Sequence, residues 1–315
     1  MENKGHLNDV QYMKRLSDFI SQEYGITINA INSAARGYYG ETWRLDATDN
    51  SYFVKLDYFP RHQAVFQNSL PVIEYLCDNN INFIPNVIKT STDSLHSYFD
   101  SAVLGVFDWV EGENIETNET KVSEYRMLCE IYALTKQGFS IPTMILSDSA
   151  ALHVYSKWDL LKTTPQNNAI LSILDNYREK LSHCASRLTH ISSICRMNKK
   201  DSYITHGDAG GNFFANRERN YLVDWDEVMY APIERDAWVM CCYDWARELF
   251  NDTLNKNDIT YQLRSERLAF YCYHMLFWYL GEFLADADRA GIAERIDQYL
   301  SDGWIWDRVA FADKV

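Results

Sequence analysis

The hydrophobic pattern of this 315-residue chain changes after Gly112, and that change restricts the folds available to it. Before Gly112, short apolar runs bounded by turn residues predict strands instead of long helices. These runs cover residues 26–34, 40–46, 51–56, 83–89 and 102–109. Apolar residues at helical spacing predict helices over residues 8–24 and 65–77. The first hundred residues therefore indicate a twisted antiparallel sheet with one or two helices.

Helices dominate the sequence after Gly112. They are predicted over residues 122–136, 169–188, 236–250, 261–286 and 292–300, with short strands around His206 and over residues 221–224. The predicted fold class is α+β, with a small sheet lobe over residues 1–107, a hinge over 108–112 and a larger helical lobe over 113–315. A cleft between two lobes is a common place for a small-molecule site.

The charge balance disfavours one class of partner. Thirty Lys and Arg against 44 Asp and Glu give a net charge of −14. A protein that binds nucleic acid through phosphate contacts is usually basic, so we expect no nucleic-acid partner. An acidic surface attracts a cationic small molecule, although solubility alone also accounts for such a surface.

Cysteines and apolar segments indicate where the chain resides. The seven Cys are scattered and form no CxxC pair, which favours buried free thiols in a reducing cytosol. The N-terminal residues 1–10 have no apolar core and do not resemble a signal peptide. The most apolar stretch, residues 270–284, is too short to span a bilayer. We expect a cytoplasmic protein without a membrane partner.

The segment from Thr205 to Asp226 carries the clearest chemical signal. It contains HGDAGGN, with Asp208 and Asn212, and then YLVDWDE, with Asp224. Phosphoryl transfer needs one carboxylate for the acceptor hydroxyl, and oxygen ligands for the Mg²⁺ that bridges nucleotide phosphates. A loop, a hairpin turn and a strand end bring these three side chains together, and their oxygen ligands suit magnesium better than zinc.

These motifs resemble the aminoglycoside phosphotransferase family, whose members share a protein-kinase-like fold. The resemblance covers residues 24–250. It implies that Asp208 is the catalytic aspartate and that Asn212 and Asp224 are the two magnesium ligands. The family places the asparagine five residues after the aspartate, but here the spacing is four, so the catalytic loop is one residue short. Two glycines in this loop can absorb the deletion.

The stretch DEVMYAPIERDAW, residues 226–238, resembles the spectinomycin-phosphorylating branch of the family. Asp236 lies in this stretch, where we expect it to begin a helix and brace a loop, since a carboxylate is favoured beside exposed backbone amides. The resemblance implies transfer of the γ-phosphate of ATP, or GTP, to a hydroxyl of an aminoglycoside or aminocyclitol antibiotic, and hence resistance.

The upstream half is expected to bind the nucleotide. Lys55 is the one cation in the apolar strand YFVKL and would hold the α and β phosphates. Its customary partner is a helix glutamate, for which Glu74 is the candidate, with Gln67 as the alternative if the helix has a different register. Gly37 and Gly40 flank a loop that would cover the phosphates with backbone amides.

The segment VFDWVEG, residues 106–112, resembles the hinge of the family. Adenine would pair there with backbone groups, and we predict that these belong to Asp108 and Val110.

Aromatic and acidic residues crowd the predicted helical lobe and suit an amine-bearing, polyhydroxylated acceptor. Five of them fall on one predicted helix: Trp238, Tyr243, Asp244, Trp245 and Glu248. Others follow on a later helix: Tyr271, Tyr273, Trp278 and Tyr279. Most residues at this spacing pack into a core, so each is a weak candidate by itself.

Two alternatives remain open at this point. The first is a metabolic kinase of the same fold, acting on choline, homoserine, methylthioribose or fructosamine, because fold does not fix the acceptor. The second is a nucleotide-binding pseudokinase, favoured by the short loop and by the uncertain role of Glu74. The chain is predicted to be a monomer or a homodimer.

Overall fold

The chain folds as two units. The computed structural model describes residue 6 and residues 9–34, 40–115, 117–163, 167–195 and 201–315. The sheet unit comprises the described residues up to Thr143 together with Ile204–Tyr230. The helical unit comprises Met144–Tyr203 and Ala231–Val315. The hinge at residues 108–112 and the lobe boundaries stay predictions.

An antiparallel sheet forms the sheet unit's largest layer. Its strands are β1 (Ile28–Ser33), β2 (Gly40–Ala47), β3 (Ser51–Asp57), β4 (Val87–Ile88), β5 (Ser97–Phe99) and β6 (Ala102–Asp108). They follow the order β1–β2–β3–β6–β4, with β5 paired to β6. The sheet agrees with the predicted one, except that the strand predicted over residues 83–89 is only the short β4 and that β5 has no predicted counterpart.

The two faces of β3 carry different chemistry because side chains alternate along a strand. Val54 and Leu56 are fully buried in the core under α1 (Val10–Tyr24). Burial of each such side chain contributes about 1.5–3 kcal/mol, so this face holds the strand in place. Phe53, Lys55 and Asp57 occupy the opposite face. The apolar core thereby decides on which side of the sheet Lys55 stands.

The remaining elements of the sheet unit bring in the motif residues. They are α2 (Pro60–Asp78), β7 (Glu113–Asn114), α3 (Asn118–Ala133), β8 (Tyr203–Thr205), β9 (Phe213–Ala215), β10 (Asn220–Leu222) and β11 (Met229–Ala231). The hairpin β9–β10 extends to a three-stranded sheet through β7, and β8 pairs with β11. Pro60 allows α2 to start early, since proline is tolerated in the first turn of a helix.

The helical unit is built around one buried helix. Its helices are α4 (Ser149–Leu161), α5 (Asn168–Asn176), α6 (Arg178–Ile194), α7 (Glu234–Cys241), α8 (Asp244–Lys256), α9 (Ser265–Ala285), α10 (Ile292–Ser301) and α11 (Gly303–Ala312). α9 packs against α4, α6, α7 and α11. The predicted helix over 169–188 is two helices that meet at Tyr177, and the one over 236–250 is also two.

Two sequence expectations concern cysteines and membrane spans. All seven cysteines are free, and all but the half-buried Cys77 are buried, as predicted. Among the helices that the structure describes, none has the length and apolarity of a membrane span.

Candidate active site

The ammonium group of Lys55 lies between two carboxylates. Its Nζ is 2.8 Å from Asp224 Oδ1 and 2.6 Å from Asp226 Oδ2. Lys55 stands in the middle of the sheet, opposite Thr42 of β2 and Gly105 of β6. Only 9% of its side chain is exposed, and a buried charge needs close partners of opposite sign. The predicted phosphate-binding lysine and one predicted metal ligand are therefore in direct contact.

Asp224 follows β10 in a turn that the backbone holds. The N–H of Val223 donates to the carbonyl of Asn212 over 3.1 Å, which ties this turn to the predicted catalytic loop, residues 208–212. Asp224 itself has a φ of 63°, a left-handed conformation that Asp tolerates better than most residues. Such conformations persist where the surroundings enforce them, and they cluster at functional sites.

His206 links the catalytic loop to the same turn. Its Nε2 lies 2.8 Å from the carbonyl oxygen of Val223, to which it donates. The backbone N–H of Asp208 donates to His206 Nδ1 over 3.2 Å. The two bonds together require the tautomer with the proton on Nε2. His206 therefore braces the backbone at Asp208 and has no need to face a reactant.

Asn212 and Asp208 are joined directly despite the short loop. Asn212 Nδ2 donates to the carbonyl oxygen of Asp208 over 2.9 Å and to its Oδ2 over 3.2 Å. A short 3₁₀ helix, Gly210–Asn212, closes the loop. A Cβ on Gly211 would lie 2.9 Å from Asp208 Oδ1, which is closer than real Cβ atoms approach a neighbour. Glycine is required there by the position of the Asp208 carboxylate.

The charges in the site shift each other's titration. Burial raises the pKa of Asp208, and the negative charges of Asp224 and Glu227 act in the same direction. Burial works against the charged form of Lys55, but the two carboxylates beside it outweigh that effect and raise its pKa. Asp208 is thereby a stronger base than an ordinary aspartate, which suits a group that accepts a proton from a hydroxyl.

The two carboxylates on Lys55 differ from each other. Partial burial opposes the charge on Asp224, yet the attraction of Lys55 outweighs it and lowers the pKa of Asp224. Burial raises the pKa of Asp226 above its usual range, and the charge of Asp224 adds to this. Asp224 is half exposed and Asp226 is buried, so only Asp224 presents its carboxylate to solvent.

The donor set fits a hard divalent cation. Because the amide nitrogen of Asn212 donates to Asp208, its amide oxygen is the atom left to act as a ligand. Asp224 adds a carboxylate oxygen that stays ionised. Among the described residues no three His, Cys, Asp or Glu side chains cluster as a metal site by themselves. One or two protein oxygens completed by substrate phosphates are the usual Mg²⁺ arrangement in phosphotransferases.

The structure corrects the predicted partner of Lys55. Glu74 lies on α2 but pairs with Lys89, at 2.6 Å. The alternative, Gln67, contacts His96 and the hydroxyl of Tyr98. Among the described residues, Lys55 pairs with Asp224 and Asp226, and the α2 side chain nearest its ammonium group is Phe66.

The two predicted glycines of the phosphate loop have different outcomes. Gly37 lies outside the described residues. Gly40 is the first residue of β2, and a Cβ there would be 1.7 Å from the carbonyl oxygen of Leu56. β2 and β3 therefore approach each other closely at this point, which only glycine permits. A direct role of Gly40 toward phosphates stays a prediction.

The predicted hinge residues line a cavity. Asp108 and Val110 border a space of about 710 Å³, together with the β2–β3 turn, Asn82, residues 84–86 and Tyr221. The backbone N–H of Asp108 donates to the carbonyl of Asn86, and Asn86 Nδ2 donates to the Asp108 carboxylate. These bonds hold the segment after β6 in place at the cavity wall.

Three buried polar residues near Lys55 were not predicted from the sequence. Asp226 holds the lysine directly, and His62 lies between Asp226 and Asp57. One signal was present, since Asp57 stands two residues after Lys55 and so shares its strand face. The position of His62 was not readable, because it depends on where α2 begins.

Of the nine predicted acceptor candidates, three are buried in the core: Trp238, Tyr271 and Tyr273. Trp238 packs edge-on against Trp304 with ring centroids 5.7 Å apart, and Tyr271 is buried. Tyr243 and Trp245 are exposed at 38% and 40%. Asp236 falls in the first turn of α7, as the sequence predicts. These residues belong to the helical unit, and a role in acceptor binding stays a prediction.

Comparisons with known proteins point to one family. The model of the phosphotransferase enzyme family matches residues 30–271. A spectinomycin phosphotransferase solved with ADP and spectinomycin has a TM-score of 0.79 at 18% identity, over 96% of this chain and 98% of that one.

More distant structures share the same fold. A choline kinase from Cryptosporidium parvum has a TM-score of 0.58 at 11% identity, over 90% of each chain. An amicoumacin kinase in complex with AMP-PNP and Ca²⁺ has a TM-score of 0.59 at 13% identity, over 98% of this chain and 96% of that one. These likenesses confirm the predicted protein-kinase-like α+β fold.

Proposed function

The chain belongs to the phosphotransferase enzyme family, and on that premise we propose that it transfers the γ-phosphate of ATP to a hydroxyl of an aminocyclitol or aminoglycoside. The observation that carries the proposal is the contact between Lys55 and Asp224. The neighbouring residue Val223 donates its N–H to the carbonyl of Asn212, so all three predicted residues belong to one connected group. Asp208, bonded to Asn212, completes the set that phosphoryl transfer requires.

Each of these residues has a distinct task in the proposed reaction. Lys55 binds the nucleotide phosphates through its ammonium group. Asn212 and Asp224 would hold Mg²⁺ through oxygen atoms, and the bound ion would supply neutralisation of charge on the transferred phosphoryl group. Asp208 orients the acceptor hydroxyl toward the γ-phosphate and takes its proton. Positioning and charge neutralisation supply most of the rate increase.

The nucleotide base has a candidate place beside the hinge segment. The cavity bordered by Asp108 and Val110 is large enough for a purine. Backbone N–H and C=O groups can form hydrogen bonds with the base whatever side chains they carry. ATP is the proposed donor, and GTP is the competing donor for the assay to exclude.

The aminocyclitol class is supported by two observations. Residues 226–238 resemble the spectinomycin-phosphorylating branch, and a spectinomycin phosphotransferase covers nearly the whole chain with the same fold. The net charge of −14 adds a general attraction for amine-bearing acceptors. A resistance role in a cytoplasmic setting follows if such an antibiotic is the substrate.

The test is an acceptor panel with the purified protein, Mg²⁺ and ATP or GTP. Spectinomycin, aminoglycosides, choline, homoserine, methylthioribose and fructosamines are compared by mass spectrometry of the phosphorylated product. We expect phosphorylated spectinomycin or a related aminocyclitol, and loss of kcat by about 10²–10⁴ in Asp208→Asn with ATP binding retained. Preferential turnover of choline or another metabolite would contradict the proposed acceptor. Full activity of Asp208→Asn would contradict the mechanism.

A further inference from the structure

Asp57 and His62 lie buried directly behind the Lys55 ion pair, although the proposed mechanism does not use them. Asp57 is 0% exposed and His62 is 6% exposed. His62 Nδ1 contacts Asp57 Oδ2, and His62 Nε2 lies 3.7 Å from Asp226 Oδ2. A row of buried polar groups therefore runs from Asp57 through His62 and Asp226 to Lys55, and its widest step is the 3.7 Å between His62 and Asp226.

The first member of this row is firmly held. Asp57 Oδ1 accepts a hydrogen bond from the N–H of Phe59 at 2.8 Å, and its carbonyl accepts one from Gln63 Nε2 at 2.9 Å. These bonds join the end of β3 to the first turn of α2. Because Asp57 engages the Nδ1 side of His62, the Nε2 side of the ring is the one turned to Asp226.

α2 presents no carboxylate to Lys55. The residues of α2 that approach the site are His62 and Phe66, four residues apart and so on one face of the helix. The Phe66 ring centroid lies 5.7 Å from Lys55 Nζ. Among the described residues, the carboxylates within ion-pair distance of Lys55 are those of Asp224 and Asp226.

The two carboxylates cannot have the same task. Under the proposed function, on which this inference rests, the half-exposed Asp224 would be a ligand of Mg²⁺. Asp226 is buried and stays with the lysine. A buried carboxylate keeps a defined position only if its surroundings fix it, and His62 is the group that faces it from α2.

We propose that Asp226 orients the Lys55 ammonium for nucleotide binding and that His62, set in place by Asp57, is the positioning residue that holds Asp226. Asp226, which follows β10, thereby pairs with Lys55 in place of the predicted helix glutamate. The proposal assigns a nucleotide-binding role to three residues outside the set Asp208, Asn212, Asp224 and Lys55.

Two amide variants separate this role from a purely structural one. His62→Gln places its amide nitrogen where Nε2 stands, so it preserves the group that faces Asp226. His62→Asn places its amide nitrogen where Nδ1 stands, so it preserves only the contact with Asp57. We expect the dissociation constant of Mg²⁺–ATP, measured by calorimetry, to rise about tenfold in His62→Asn and to stay within about threefold of wild type in His62→Gln. The reverse order would overturn the proposal.

The matched control is His96→Gln. His96 is a half-buried histidine of the same unit that contacts Gln67 and Tyr98, and its replacement should leave ATP binding unchanged. A double variant adds a second criterion. In an Asp226→Asn background, His62→Asn should cause no further rise in the dissociation constant of Mg²⁺–ATP. Independent, multiplicative effects of the two substitutions would overturn the proposed coupling.

Folding and the broader function are checked alongside. Thermal unfolding of each variant shows whether it folds. If His62→Asn does not fold, Asp57→Asn replaces it, and we expect the dissociation constant of Mg²⁺–ATP to rise about tenfold in that variant. An unchanged dissociation constant would overturn the proposal. Wild-type protein that binds no Mg²⁺–ATP would overturn the proposed function and this inference together. Wild-type protein that binds it, with all His62 variants alike, would overturn the inference alone.

Discussion

The Asp208 carboxylate occupies the space that a side chain at Gly211 would need. A Cβ on Gly211 would lie 2.9 Å and 3.2 Å from the two carboxylate oxygens, so alanine there must displace them. We expect Gly211→Ala to lower kcat by about 10-fold to 100-fold, since small misplacements of a reacting group are costly. The measurement is steady-state kinetics beside a thermal unfolding curve, which should change little.

Gly303→Ala is the control for this substitution. Gly303 begins α11 and has open space around its Cβ position. The Gly303→Ala enzyme should have the wild-type kcat. A Gly211→Ala enzyme with wild-type kcat would show that the Asp208 carboxylate does not need the position seen here.

The titration of Asp208 gives a prediction about pH. Burial raises its pKa above that of an ordinary aspartate, and the charge of Glu227 contributes to the rise. A base must be ionised, so kcat/KM falls as pH drops through this raised pKa. Glu227→Gln removes a negative charge, which lowers the pKa of Asp208 and moves the acid limb of the profile to lower pH. Glu218→Gln, in the exposed β9–β10 turn, is the control; an unmoved or upward-moved limb in Glu227→Gln would contradict the prediction.

At the scale of single elements, a buried glutamate joins α7 to the segment before α9. Glu234 is fully buried and accepts hydrogen bonds from Tyr261 Oη at 2.6 Å and from the N–H of Arg264 at 2.8 Å. Glu234→Ala leaves the buried Tyr261 hydroxyl and the half-buried N–H of Arg264 without this acceptor. We expect a loss of about 2–4 kcal/mol in the free energy of unfolding, measured with denaturant. Asp297→Ala, on the exposed side of α10, should change it by less than about 0.5 kcal/mol; equal effects would contradict the prediction.

Elements defined by local patterns could be predicted from the sequence, and junctions set by tertiary contacts could not. β2, β3 and β6 were predicted almost to their ends, because each is a short apolar run bounded by turn residues. The break between α7 and α8 was not predicted, because residues 242–243 include neither Gly nor Pro. The early start of α2 was also missed, and with it the approach of His62 to Asp226.

At the scale of the whole chain, the same division applies to the site. Asp208, Asn212, Asp224 and Lys55 could be proposed from the sequence because phosphoryl transfer calls for these residue types, and the structure brings Lys55 to Asp224 and Asn212 to Asp208. The residues that support them have no motif spacing: Asp57 and His62 come from a strand end and a helix start 160 or more positions before Asp226. Each of the two units is likewise assembled from segments that are distant in sequence. Local hydrophobic patterns do not predict such an arrangement.

The net charge of −14 leads to a prediction for the whole molecule. An acidic protein attracts a cationic acceptor over distances that salt shortens from about 30 Å at 0.01 M to about 3 Å at 1 M. We therefore expect kcat/KM for an amine-bearing acceptor to fall several-fold between about 0.02 M and 0.5 M potassium chloride, with ATP saturating. The internal control is kcat at saturating acceptor, which should change little with salt because a bound acceptor no longer depends on long-range attraction. A kcat/KM that is insensitive to salt, or that falls only in step with kcat, would mean that the acidic surface serves solubility and that acceptor capture depends on short-range contacts alone.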